Sequence, residues 1–131
     1  MVALIDRKIT PPATNVEGAP FYEAAGQGRF VLRWCLDCQR THWYPRALCP
    51  HCWSDRGEWR EASGRATVHA FSVMARADPP YVVAYVKLEE GPLMLTNLVD
   101  CDPDQLAIDQ PVSVVFKASD NGTAVPMFAP R

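Results

Sequence analysis

Four of the five cysteines fall in two pairs, Cys35-Leu36-Asp37-Cys38 and Cys49-Pro50-His51-Cys52, with ten residues between the pairs. Two residues between cysteines allow a tight turn that aims both sulfurs at one ion and directs backbone amides at the thiolates. Two such turns supply a tetrahedron of thiolates about 2.3 Å from a zinc ion. Four protein ligands leave no open coordination position, so the predicted role is structural: one zinc ion holding a ribbon. Similar turns hold iron in rubredoxin-like sites, but zinc is the expected metal. A disulfide reading fits poorly, because the cysteine count is odd and the opening Met1-Val2-Ala3-Leu4-Ile5-Asp6-Arg7-Lys8 lacks the charged-then-apolar order of a secretory signal. A ribbon of a few turns cannot bury a core of its own. Metal binding, worth roughly 10–16 kcal/mol in isolated zinc-finger peptides, takes its place.

The other chemically capable residues carry weaker signals. Cys101 lies between Asp100 and Asp102, whose charges raise a thiol pKa and disfavour the reactive thiolate. His42 and His51 lie within the ribbon, but four thiolates already complete the site, so both are expected at the surface or behind the ligands. His69 is expected to be a packed strand residue. The sequence contains no serine or cysteine nucleophile motif, glycine-rich phosphate loop or telling pair of carboxylates; Glu89-Glu90 reads as turn chemistry. No catalytic residue is assigned, and the chain is not expected to be an enzyme on its own.

The elements that position the cysteines follow from pattern. A chain of 131 residues suits one compact domain with a small appendage. Residues 1–20 hold Pro11, Pro12 and Pro20 without a clear period, which predicts an extended arm ordered only by lying on something. Pro20 suits the first turn of a short helix over Phe21–Ala25, ended by Gly26 and Gly28. Arg29–Trp34 then reads as a strand entering the first cysteine pair. Beyond Trp59 come short β-rich runs: Thr67–Met74, Tyr81–Leu88, Leu93–Val99, Val112–Lys117 and a last piece around Val125–Phe128. Val82, Ala84, Val86 and Leu88 share one face at period two, and Glu89-Glu90-Gly91-Pro92 turns the chain into an antiparallel partner. The fold class is mainly β, with a small barrel or sandwich after the ribbon. The expected units are an N-terminal arm and short helix over 1–28, a zinc ribbon over 29–62, and a β domain over 63–131.

Charge is uneven. Arg29 to Arg65 holds seven arginines against four acids, a local +3 in a chain of net charge −2, which suits a phosphate or acidic partner near the ribbon. No stretch approaches the roughly 20 apolar residues of a membrane span, and a cytoplasmic location is expected.

Taken together, the order of features resembles a known family. Phe21-Tyr22-Glu23 precedes Cys35-x-x-Cys38; then come Tyr44-Pro45-Arg46, Cys49-Pro50-His51-Cys52, Trp59, Ser63-Gly64, Pro79-Pro80-Tyr81-Val82, Glu89-Glu90-Gly91-Pro92, Pro111-Val112 and Phe116. This pattern is similar to the bacterial and archaeal zinc-ribbon OB-fold proteins, first catalogued as a domain of unknown function, and covers the chain from about Pro20 to Pro130. Two departures concern turns: Ala66, and Asp109-Gln110 before the late Pro-Val, stand where the family often has glycine. The resemblance implies a helical arm, a rubredoxin-like ribbon and a C-terminal five-stranded OB barrel. It also implies a non-catalytic accessory subunit that binds and stabilises a thiolase-superfamily enzyme using acyl-CoA: a thiolase, an acyltransferase or a thiolase-like aldolase of steroid breakdown.

Help with acyl-CoA binding is a further expectation, with Arg33, Arg40 and Arg46 as the candidate contacts to CoA phosphates. The alternative is a free-standing module that binds CoA, acyl-CoA or nucleic acid. Nucleic acid is disfavoured, because the segment from Ala66 onward is acidic and lacks the positive track that single strands require.

Overall fold

Val82, Ala84, Val86 and Leu88, the alternating residues of the best strand signal, are all buried and form the centre of the core. In the computed structural model, which describes residues 3–131, they belong to the fifth of eight strands in chain order and the second in the order around the barrel. The order along the chain is helix α1 (Ala19–Gly26), then β1 (Val31–Cys35), β2 (Thr41–His42) and β3 (Gly57–Glu61). Next come β4 (Arg65–Met74), β5 (Tyr81–Leu88), β6 (Leu93–Leu98), a 3-10 turn (Pro103–Gln105), β7 (Pro111–Ala118) and β8 (Ala124–Pro130). The ribbon strands form a three-stranded sheet in the order β2-β1-β3, and the rest close into a barrel in the order β4-β5-β6-β8-β7. The chain is therefore mainly β, with one helix, a zinc-ribbon region and a five-stranded OB-type barrel.

Each strand has a local cause. The turn after Leu88 sends β6 back antiparallel, with Val86 opposite Met94 and Val82 opposite Leu98. On β4, Ala66 and Val68 point inward, and then the register to β5 shifts between Val68 and Ala70. The extra residue is His69, and its bulge reverses the phase, so that Phe71 and Val73 pack on the core instead of their neighbours. His69 is exposed, which corrects the expectation of a packed histidine: a bulge residue has no opposing partner to pack beside. Antiparallel pairing runs from Val112↔Pro130 to Ala118↔Ala124 between β7 and β8, and over Arg65–Thr67 between β4 and β7. Closure between β6 and β8 rests on one parallel pair, Leu98↔Phe128.

Pro20 lies in the first turn of α1, and the Gln27 and Gly28 amides close its end on the Ala24 and Ala25 carbonyls. Aromatic rings join the helix, ribbon and barrel. Phe21, 1% exposed, meets Tyr22, Phe30 and Trp43 at centroid distances of 5.1, 5.9 and 4.6 Å. Phe30 in turn stands edge-on to Phe128 of the barrel at 6.2 Å. The arm before the helix lies on the barrel itself. The Asp120 amide donates to the Ile9 carbonyl at 3.0 Å, Arg7 sits 4.3 Å over the Tyr81 ring, and Leu4 packs against the core. A cavity of about 340 Å³ separates Leu4, Ile5 and Ile9 from Leu98, Val99 and Met127.

At the ribbon–barrel junction Gly64 has φ +76, and a Cβ there would lie 2.6 Å from Val114 Cγ1. Gly64→Ala is expected to destabilise the chain by about 1–3 kcal/mol, combining left-handed strain with the clash. Urea midpoints check this, and a Val114→Ala background should recover only the clash component. Asp109, which stands at one departure from the family pattern, takes φ +67. Aspartate tolerates that conformation better than most side chains, so the turn keeps its shape without the glycine.

Candidate metal centre

The two cysteine turns share one design. Cys35 ends β1, the Gln39 amide returns to the Cys35 carbonyl at 2.9 Å, and Gln39 takes φ +57. In the second turn the Trp53 amide returns to the Cys49 carbonyl at 2.8 Å, with Trp53 at φ +66. Each turn aims an amide at a sulfur: Cys38 N–H to Cys35 Sγ at 3.5 Å, and His51 N–H to Cys49 Sγ at 3.4 Å. Asp37 ties the turns together by accepting from the Ser54 hydroxyl and the Arg56 guanidinium.

The four Sγ atoms of Cys35, Cys38, Cys49 and Cys52 lie within 4.8 Å of one another. Cys35–Cys52 and Cys38–Cys49 are separated by 3.6 and 3.7 Å. A tetrahedron with metal–sulfur bonds of about 2.3 Å has edges of about 3.8 Å, whereas a disulfide bond is about 2.05 Å. The arrangement therefore fits zinc and excludes paired disulfides. Proton affinities agree: the Cys38 amide, acting against burial, pulls Cys35 down to about 6. Burial and then the hydrogen bond to Cys35 push Cys38 up to about 12. Thiols this close compete for negative charge, and a dication at their centre is what allows all four to be thiolates. Zinc bound there supplies a cross-link between the two turns, and the cysteines supply its whole coordination shell.

Beside this centre, Arg33 of β1 is flanked by His42 of β2 and Trp59 of β3 in the sheet register. Its guanidinium lies 5.3 Å from the Trp59 ring centre and over Gly57, where a Cβ would come within 2.3 Å of Nη2. Of the two places expected for His42, at the surface or behind the ligands, the surface is ruled out. The residue is 4% exposed, and neither ring nitrogen has a hydrogen-bond partner. Burial, followed by Arg33, His51 and Arg46, lowers its pKa. Nothing in the composition of Thr41-His42-Trp43 marks this burial; only the register opposite Arg33 reveals it. Of the three arginines singled out from the sequence, Arg33 and Arg46 both act electrostatically on His42. Arg40 is exposed, and its carbonyl accepts the Cys35 amide.

The lowered pKa of His42 fixes a sign. The unfolded imidazole takes a proton below about 6.5 while the folded one resists it, so stability is present above that pH and lost as pH falls toward the folded value. His42→Leu is expected to flatten the acid limb of a stability–pH curve below about pH 6.5, measured with zinc content held constant.

Other sequence assignments find their places. Cys101 is half-buried, and burial first, then Asp100 and Asp102, raises its thiol pKa. Glu89 pairs with Arg65 at 2.8 Å, and Glu90 accepts the Ser63 amide at 2.9 Å, so both brace the turn. Among the described residues, no helix is long and apolar enough to cross a membrane.

Comparison with known proteins places these features in a family. The family model described as "ChsH2, rubredoxin-like zinc ribbon domain" matches residues 23–58, and "ChsH2, C-terminal OB-fold domain" matches residues 59–117. The chain is 37% identical over 125 residues to a probable enoyl-CoA hydratase alpha subunit of Thermomonospora curvata, covering 91% of this chain and 39% of that protein. It therefore spans about two-fifths of that relative's length. It is also 37% identical over 91 residues to a DUF35 domain-containing scaffold protein of Methanothermobacter thermautotrophicus, covering 63% of this chain and 68% of the relative. Among solved structures, the Ltp2-ChsH2(DUF35) aldolase contains a chain that superimposes with a TM-score of 0.81 at 36% identity, covering 92% of this chain and 98% of that one. With both halves of the fold and the cysteine centre matched in one order, the chain belongs to the ChsH2-type DUF35 family of zinc-ribbon OB-fold proteins.

Proposed function

We propose that this chain is a non-catalytic accessory subunit that binds and stabilises a thiolase-superfamily enzyme acting on acyl-CoA substrates. The observation that carries the reading is the near-complete superposition on the DUF35 chain of an aldolase complex. The scaffold name of one relative and the CoA-linked name of another point the same way. In this role the partner supplies the reacting groups, and the zinc holds the ribbon in shape for docking. Arg33, Arg40 and Arg46 are the proposed CoA phosphate contacts. The site of action is proposed to be the cytoplasm.

The test is a native pull-down of the tagged chain from its own host, with mass spectrometry of the bound chains and a zinc assay. A stoichiometric thiolase-like partner with one zinc per small subunit is the expected result. A zinc-loaded chain that elutes alone would overturn the reading in favour of a free-standing binding module.

A further inference from the structure

Strand β4 has an edge that the barrel leaves open. It pairs with β5 from Ala66↔Leu88 to Met74↔Tyr81, but with β7 only over Arg65–Thr67. Just beyond, the Val68 amide donates to the Gln110 carbonyl and the Val68 carbonyl accepts from the Asp109 amide. From Ala70 to Met74 the strand then has a neighbour on one side alone. Among the described residues, the one other backbone bond to this run is from the Ala77 amide to the Met74 carbonyl, within the following turn.

Open edges are ordinarily guarded by charge, proline or brevity. In the ribbon sheet, the edge strand β3 carries Glu58, Arg60 and Glu61, and the other edge, β2, is two residues long. Ala70-Phe71-Ser72-Val73-Met74 has neither charge nor proline. Its inward residues, Phe71 and Val73, pack on the core yet stay only half-buried. On the outer face, the register aligns Ala70, Tyr85 and Leu95 in one row and Ser72, Val83 and Asn97 in the next. Tyr85 and Leu95 are exposed, and a hollow of about 220 Å³ opens among Phe71, Ser72, Tyr85 and Leu95.

We infer that this edge is completed by a second copy of the chain, β4 lying antiparallel to β4 about a two-fold axis. Residues opposite each other in a sheet share a face, so the axis passes through a residue, and Ser72 is the midpoint of the open run. That register sets Ser72 opposite Ser72, Phe71 opposite Val73 and Ala70 opposite Met74. The surface then complements itself, as a two-fold contact requires. The other copy's Met74 arrives beside Ala70, in the row of Tyr85 and Leu95, where the hollow receives a flexible apolar side chain. The same register carries the turn at Arg76 toward the other copy's Asp109, next to Val68. Both are exposed, and neither has an ion-pair partner among the described residues. Two opposite-charge pairs therefore close the ends of the shared ladder. The inference goes beyond the accessory-subunit reading and does not depend on it.

Sedimentation equilibrium of the zinc-loaded chain tests it, with Ser72→Lys, Ser72→Cys and Leu93→Glu as variants. Ser72→Lys sets like charges face to face across the axis. Leu93→Glu adds a charge to the same sheet two strands from the edge, opposite Lys87. Wild type and Leu93→Glu are expected to dimerise, and Ser72→Lys should raise the dimer dissociation constant at least tenfold at unchanged zinc content. In Ser72→Cys the two new thiols lie within the span of a disulfide. Oxidised glutathione should therefore convert that variant, and not wild type, to a covalent dimer that dithiothreitol releases. A wild-type chain that is monomeric at every concentration overturns the inference. So does a dimer that survives Ser72→Lys or yields no cross-link in Ser72→Cys. A monomer that pulls down an enzyme partner, and loses it in Ser72→Lys, would assign the edge to that partner; the two-copy reading falls and the accessory-subunit reading stands.

Discussion

Chelating the zinc, or replacing one ligand by Cys49→Ser, is expected to unfold the ribbon and much of the barrel with it. The ribbon sheet has few buried side chains of its own, and β1 contributes Val31 and Leu32 to the same core that β5 and β6 fill. Losing the ion therefore removes the cross-link between the cysteine turns and loosens one wall of the common core. Structural zinc in small domains contributes roughly 10–16 kcal/mol, against a total stability of about 5–15 kcal/mol for an ordinary domain. A deficit of that size leaves no folded reserve. Calorimetry should show the main transition collapsing on chelation. Tryptophan emission should shift to the red as Trp43 and Trp59, both packed against the core, meet water. Cys101→Ser, which changes a half-buried thiol outside the metal centre, should leave zinc content unchanged. An unaltered melting curve after complete zinc removal would show that the barrel carries the stability alone.

The second large effect is expected from Phe128→Ala. Its ring is fully buried and stands edge-on to Phe30, and its backbone holds both the pair with Val114 on β7 and the only pair between β8 and β6. Truncation leaves the backbone bonds available but opens a cavity where barrel and ribbon base meet. Buried phenylalanines cost about 3–5 kcal/mol when cut to alanine, which for a chain of this size lowers the melting temperature by about 10–20 °C. Phe128→Leu should recover most of the loss, since it refills volume without a new polar group. A deficit below about 1 kcal/mol in urea unfolding would mean that the surrounding side chains collapse into the space.

How much of this was legible in the sequence depends on how local each cause is. The metal centre was readable because the two turns are built within a few residues of each cysteine. The run from Tyr81 to Leu88 was readable because alternation survives over its whole length. Less visible was β4, whose bulge at His69 breaks its period halfway along. The two-residue β2 and the polar β3 were not distinguished at all: Thr41–His42 is too short for a period, and Gly57–Glu61 buries no side chain fully. Phe21, Tyr22, Trp43, Tyr44, Trp53 and Trp59 stand near the ribbon in the sequence, but their fates diverge. Phe21 is buried and Trp43 and Trp59 pack on the core, while Trp53 stays in water. Composition cannot distinguish these outcomes, because they depend on how helix and barrel fold over the ribbon. The burial of His42 is likewise a consequence of register between strands, which no local pattern carries.

The single pair between β6 and β8 also bears on how the barrel fails. Four of its five strand contacts are ladders, and this one is a seam across which the Val99 amide donates to the Phe128 carbonyl at 2.9 Å. A seam held by so little backbone opens before the rest of the fold, so amides along it should exchange with heavy water at free energies well below that of global unfolding. Opening would expose two strand edges together, the kind of template that recruits strands from other chains. The arm passes over this region, with Leu4, Ile5 and Ile9 facing Leu98, Val99 and Met127 across the cavity. Covering a vulnerable edge is thus a second use for a segment with little regular structure, and a chain shortened before Thr10 should aggregate at temperatures where the intact one stays soluble.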